Sequence, residues 1–228
     1  MRTVHTDFGT RTAILVGDYL FAQSSWHLAH LENLEVIKLI SQVIKDFASG
    51  EIRQAGTLFD TETKLEKYEE KIFRKTATLM AASCRSAAVF SNVEDDVKHC
   101  MYEYGRHVGQ AFQIVDDVLD FVQSEEQLGK PQGQDLKQGN LTAPAIFALQ
   151  YGNGVGSELA HHIDSEFEEE GSFERALELV KSCGAVEQAR QMARDNGARA
   201  RECLQPLPES EVRRSLEGLV DFVLERIS

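Results

Sequence analysis

Three carboxylates stand in the string Gly109-Gln110-Ala111-Phe112-Gln113-Ile114-Val115-Asp116-Asp117-Val118-Leu119-Asp120, whose later residues are otherwise apolar. On a helix turning about 100° per residue, positions i, i+1 and i+4 fall within roughly a third of the circumference, so Asp116, Asp117 and Asp120 are expected to converge. Among Val115, Val118, Leu119 and Phe121 such a cluster suffers desolvation and like-charge repulsion, both of which raise carboxylate pKa values. A hard cation with oxygen ligands relieves both. Mg2+ suits the pattern because it takes one or two carboxylates, retains water and completes its shell with phosphate oxygens. An exposed acidic helix end would carry the same three residues, but the apolar setting and the segment that follows argue for a buried site.

That segment reads Gly129-Lys130-Pro131-Gln132-Gly133-Gln134-Asp135-Leu136-Lys137-Gln138-Gly139-Asn140-Leu141-Thr142-Ala143-Pro144. A lysine in a glycine-containing loop brings a cation and free backbone N–H groups to a phosphate, although this is not a Walker loop and an ordinary solvent loop would read similarly. Upstream, Lys75-Thr76 is followed by Ala77, Ala81 and Ala82, small residues that leave room for a point charge and a hydroxyl to face a cavity. Other candidates carry less. His27, His30, His99, His107, His161 and His162 lack zinc-site spacing. Cys84, Cys100, Cys183 and Cys203 form no CxxC pair, so free thiols in a reducing compartment are expected. The acidic run Asp164, Glu166 and Glu168 to Glu170 reads as a solvated face.

The elements that position these residues are helical. Scarce Gly and Pro, with abundant Leu, Ala, Glu, Gln and Lys, favour helix over sheet. Apolar periodicity predicts helices over Thr12–Leu31, from about Val36 to Ala55, from Thr63 or a nearby residue as a cap to Phe90, and over Glu94–Phe121. The first is apolar on most of its circumference; the second is amphipathic. Periodicity fails between Val122 and Asn140, where a long polar loop is expected. It resumes over Leu141–Tyr151, Ser157–Glu169, Phe173–Ser182, Ala185–Leu204 and Ser210–Ile227. An all-α, single-domain helix bundle over residues 1–228 follows, since no repeat or composition break divides the chain. The 37 acidic against 24 basic residues, a formal charge of −13, exclude general nucleic-acid binding, while a divalent cation would still let an anion approach a carboxylate-lined pocket. No apolar stretch approaches the roughly 20 residues of a membrane span, so a soluble chain is expected.

Taken together, Phe8-Gly9-Thr10-Arg11 through Gly17-Asp18-Tyr19-Leu20, Gly50-Glu51 with Gln54, Lys75-Thr76, Gly109 to Asp120 and Gly129 to Pro144 resemble, in order, the trans-type isoprenyl diphosphate synthases. The likeness is greatest to long-chain polyprenyl, solanesyl-like members of plastids and cyanobacteria. It implies the isoprenoid synthase fold and prenyl transfer from an allylic diphosphate to isopentenyl diphosphate. It further implies that Asp116, Asp117 and Asp120 bind Mg2+ bridging the allylic diphosphate, that Lys75 and Lys130 contact that diphosphate, and that Thr76 and Gln113 line the same site. Asp135 is expected to support the loop or the metal's water shell. The growing tail would enter an apolar channel beside Ala13–Ala29 and Ala77–Ala88.

Family members also carry an earlier DDxxD motif followed by arginines, ahead of the segment equivalent to Thr3–Arg11, and neither Asp95-Asp96 nor Glu168–Glu170 replaces it. The chain is therefore expected to be N-terminally truncated and weak or inactive alone, because half of the metal cage and the isopentenyl diphosphate contacts lie on that missing side. The alternative is a non-catalytic regulatory subunit of a full-length synthase. Homodimers or heterodimers with such a synthase are implied, using the apolar helices Thr12–Leu31 and Val36–Phe47. The resemblance suggests a plastid setting and prenylquinone side-chain synthesis, although the sequence shows no transit peptide.

Overall fold

The computed structural model describes residues 3–124 and 131–226, the side chains of 53–55 excepted. In chain order it contains α1 (Val4–Phe8), α2 (Thr10–His30), α3 (Leu34–Ala55), α4 (Leu65–Ile72), a π-helical turn (Phe73–Ala77), α5 (Thr78–Phe90) and α6 (Asp95–Val122). There follow α7 (Gln134–Lys137), α8 (Ala143–Leu149), α9 (Val155–Asp164), α10 (Ser172–Ser182), α11 (Ala185–Glu202) and α12 (Glu211–Glu225). Every regular element among the described residues is helical.

The sequence of α6 makes it the spine. Tyr104, Val108, Ala111, Ile114, Val115, Val118, Leu119 and Phe121 are all buried, covering far more than one stripe, so the helix must be surrounded. On one side the end of the π turn and α5 approach through small residues: Ala77, Ala81 and Ala82 are buried, opposite Gly105 and Gly109. A Cβ on Gly109 would stand 2.5 Å from Ala77 Cα, and one on Gly105 2.5 Å from the Met80 carbonyl oxygen. On another side lies α11, whose buried residues Ala185, Ala189, Ala193 and Ala200 repeat at helical spacing. Tyr104 ties α6 to α12 by donating its hydroxyl proton to the Leu216 carbonyl at 2.8 Å.

The helix expected from Thr63 to Phe90 starts at Leu65 and is interrupted by the π turn. Thr63 bonds to Asp60 Oδ2 at 3.1 Å instead of capping, and Lys64 holds the cap position without a side-chain bond. A single wide turn leaves the apolar spacing on either side intact, so periodicity does not reveal it. The polar loop after α6 contains the one-turn helix α7, set by Gly133 at φ +65° and by the Gly133 N–H bond to the Asp120 carbonyl at 2.9 Å. Gly139, at φ +75°, presses its Cα against the Phe59 ring where a Cβ would collide, while its carbonyl accepts from the Phe59 N–H at 2.8 Å. Helix α2 has the apolar circumference expected of it, and none of its residues is buried; Tyr19, Leu20, Phe21 and Trp26 are each more than half exposed. Among the described residues only α1 and α3 touch it substantially. No helix among the described residues is long and apolar enough to cross a membrane.

Candidate functional site

The site is built where α4 and the π turn cross the C-terminal half of α6. Four residues spaced along these elements join into a hydrogen-bonded chain. Thr76 donates its hydroxyl proton to Gln113 Oε1 at 2.7 Å, and Gln113 Nε2 donates to Asp117 Oδ1 at 2.9 Å. Tyr68 donates to Asp117 Oδ2 at 2.7 Å. Asp117 is buried, and that burial pushes its carboxyl up to about 7, against the lowering effect of the Tyr68 and Gln113 bonds. Burial, and then the Asp117 charge, raise the Tyr68 phenol well above its ordinary value.

Asp120, also buried, receives the Asp135 backbone N–H on Oδ2 at 3.3 Å, so the loop folds back onto the end of α6. Asp135 in turn accepts from Asn140 Nδ2 at 2.8 Å, the loop-supporting role anticipated for it. Asn140 and the Leu141 carbonyl accept from Lys71 Nζ at 2.7 and 3.1 Å, which fastens the loop to α4. Beside this lattice opens a cleft of about 280 Å3, lined by Thr57, Thr63, Tyr68, Lys71, Arg74 and Leu141 among others.

The expected convergence of three carboxylates is only partly realised. Asp117 and Asp120 turn inward, while Asp116 is 36% exposed and pairs with Arg226, just past the end of α12, at 2.6 Å. The guanidinium of Arg226 also lies 4.9 Å from the centroid of the Phe112 ring. Neighbouring positions i and i+1 diverge by about 100°, enough for one to meet α12 and the other α4. Among the described residues no three His, Cys, Asp or Glu side chains stand together as a ready metal centre. The donor set nonetheless fits a hard cation: two buried carboxyls lie beside Asp135, and one is forced toward neutrality by desolvation that a cation would offset.

Of the other residues singled out from sequence, Thr76 and Gln113 belong to the chain of hydrogen bonds just described. Lys75 is exposed on the π turn and pairs with Glu51 at 2.9 Å. Lys130 lies outside the described residues. The acidic run at Glu166 and Glu168 to Glu170 is exposed, and all four cysteines are free thiols. Sequence reasoning passed over Tyr68 and Lys71. Their signal is helical spacing: Lys71 stands four residues before Lys75, and Tyr68 eight before Thr76, on the same run. Between α2 and α3 lies a second, open groove of about 820 Å3, lined by Leu20, Phe21, Leu28, Ile40 and Ile44, and this is the apolar space next to the Ala13–Ala29 segment.

The described residues thus form an all-helical bundle in which two inward-facing aspartates stand beside a cation-lined cleft. Residues 1–180 match the polyprenyl synthetase family model, and the chain belongs to that family. Over 225 residues, 99% of its length, it is 58% identical to the chloroplastic solanesyl diphosphate synthase 1 of Arabidopsis thaliana and covers 54% of that protein. It is 50% identical to a prenyl transferase of Synechocystis, covering 68% of it. The chain thus spans about half the length of its chloroplastic relatives. Among solved structures, the heptaprenyl diphosphate synthase of Staphylococcus aureus superposes with a TM-score of 0.92 at 28% identity, over 99% of this chain and 70% of that one. A polyprenyl synthase of Caulobacter crescentus, complexed with calcium and isoprenyl diphosphate, superposes with a TM-score of 0.88 at 30% identity, over 98% and 69%.

Proposed function

We propose that this chain serves polyprenyl chain elongation, with an allylic diphosphate as electrophile and isopentenyl diphosphate as the alkene that attacks it. The observation that carries this reading is the buried Asp117, raised to about 7 beside Asp120 and Asp135, a pocket whose electrostatics call for a cation and, with it, a polyanion. In the reaction the allylic C–O bond breaks and diphosphate departs. A C–C bond forms to the alkene, and a proton is lost from the adduct.

Asp116, Asp117 and Asp120 are the residues assigned to hold Mg2+, which when bound supplies charge neutralisation for the departing diphosphate. Binding it requires Asp116 to leave Arg226 and Asp117 to ionise. Gln113 and Thr76 orient Asp117 through its Oδ1, and Tyr68 does so through Oδ2, so the carboxylate is set before substrate arrives. Lys75 and Lys130 are assigned to the diphosphate. The groove between α2 and α3 offers an apolar wall to a growing prenyl tail. The exposed face of α2 offers the contact for a second copy or for a full-length synthase, and the chloroplastic relatives support a plastid setting.

A second reading, a non-catalytic subunit that modulates a full-length synthase, draws on the Asp116–Arg226 ion pair, because the first carboxylate of the motif is already engaged from within the chain. Incorporation of radiolabelled isopentenyl diphosphate decides between them, with farnesyl or geranylgeranyl diphosphate and Mg2+, for the chain alone and mixed with a full-length synthase. Product from the chain alone, abolished by Asp116→Ala, establishes the enzyme. Altered rate or product length in the mixture only establishes the subunit, and silence in both overturns the two readings together.

A further inference from the structure

Three cations line the cleft beside Tyr68, and they differ in how their charge is met. Arg74 is matched by Glu70 at 2.7 Å and Asp46 at 3.5 Å, and Lys67 by Asp60 at 3.9 Å. One turn on, Lys75 is matched by Glu51. Lys71 is different: the oxygens that accept from its Nζ, Asn140 Oδ1 and the Leu141 carbonyl, are both neutral. Its ammonium is half-buried and sits in the field of Asp117 and Asp135, opposed by that of Lys75. An ammonium has three donors, of which these two acceptors take two, and Lys71 lines the cleft with its Nζ 5.6 Å from the centroid of the Tyr68 ring.

We propose that Lys71 is a diphosphate-binding residue of this site, presenting its remaining N–H to a phosphate oxygen of the substrate. The inference rests on reading the site as one for prenyl diphosphates, and extends it to a residue on α4. The two neutral acceptors fix the ammonium on its flexible stem, so the donor is oriented before the anion binds and little entropy is lost in forming the contact. They leave its charge undiminished at contact range, as a carboxylate would not. Burial lowers the Lys71 pKa, with the Asp117 and Asp135 charges acting against it, and an anion in the cleft would further favour the ammonium. Lys71 and Lys75 are four residues apart on one helical run, so a diphosphate between them meets a cation at each end.

Titration calorimetry with inorganic pyrophosphate in the presence of MgCl2 tests this on the whole chain. Lys71→Gln and Lys71→Met are expected to weaken binding about tenfold or more, the loss of one charged hydrogen bond, and Lys71→Arg to restore part of it. Asn140→Ala separates charge from tether: it removes one acceptor and keeps the cation, so affinity should stay within about threefold while the thermal midpoint falls. Equal losses in the Lys71 and Asn140 variants would make the lysine a tether only and overturn the proposal. So would unchanged binding in Lys71→Gln alongside loss in Asp116→Ala, an outcome that leaves the prenyl diphosphate reading standing. Failure of the unsubstituted chain to bind pyrophosphate would overturn both.

Discussion

Asp117 meets neutral donors on both oxygens, Tyr68 on one and Gln113 on the other, and burial still pushes its carboxyl up to about 7 from the ordinary 3.8. Two hydrogen bonds to the charged form do not offset the loss of water around it. The folded chain therefore holds a proton that the unfolded chain releases between roughly pH 4 and 7, and stability from this group falls as pH rises through that window. Asp117→Asn removes the titration while keeping the shape. Urea midpoints measured without divalent metal at pH 5, 6, 7 and 8 should fall with pH in the natural chain by an amount worth on the order of a few kcal/mol, and fall less in the variant. Parallel slopes would show that Asp117 is already ionised at pH 5.

At the scale of elements, the contact of α5 with α6 depends on the absence of side chains at two positions. Gly109→Ala sets a methyl group against Ala77, backbone and side chain alike, and is expected to destabilise the chain by about 1–3 kcal/mol, read as a lower denaturant midpoint at unchanged slope. The existence of α5 and α6 was legible because Leu, Val and Ala recur at helical spacing, and α6 begins and ends within one residue of the expected bounds. The π turn was not, since a five-residue wide turn leaves no gap in that pattern. The aspartates themselves were legible, being charges in an apolar run. What escaped was their direction: helical geometry places Asp116 and Asp117 about 100° apart, but only the packing of α12 and α4 decides that one meets Arg226 and the other Tyr68. Lys71 escaped because an isolated lysine is ordinarily a solvated surface residue, and only the return of the loop over α4 half-buries it.

For the whole molecule, the apolar surface is unevenly distributed. The interior of α6, α8 and α11 is closed, while α2 presents Ile14, Leu15, Tyr19, Phe21 and Trp26 outward. Contiguous apolar surface of this kind drives association or partner binding, and a formal charge of −13 works against indiscriminate aggregation. Sedimentation velocity from low to high micromolar concentration should show the chain shifting to a larger species. Tyr19→Glu with Trp26→Glu, two residues one face and two turns apart on α2, should return it to the monomer without lowering its thermal midpoint, since neither is part of the core. A monomer at all concentrations would show that the α2 face does not self-associate.

The π turn gives the helical run from Leu65 to Phe90 the properties of a gear with one extra tooth. Forcing these five residues into α geometry at unchanged length would add about 20° of turn to each and rotate everything upstream by about 100° relative to α5. Thr78, Ala81 and Ala82 would keep their places against α6 while Tyr68 and Lys71 swung away from Asp117 and from the loop at Asn140. The anchoring half of the run and its chemical half are thus indexed separately, and the inserted residue sets the phase between them.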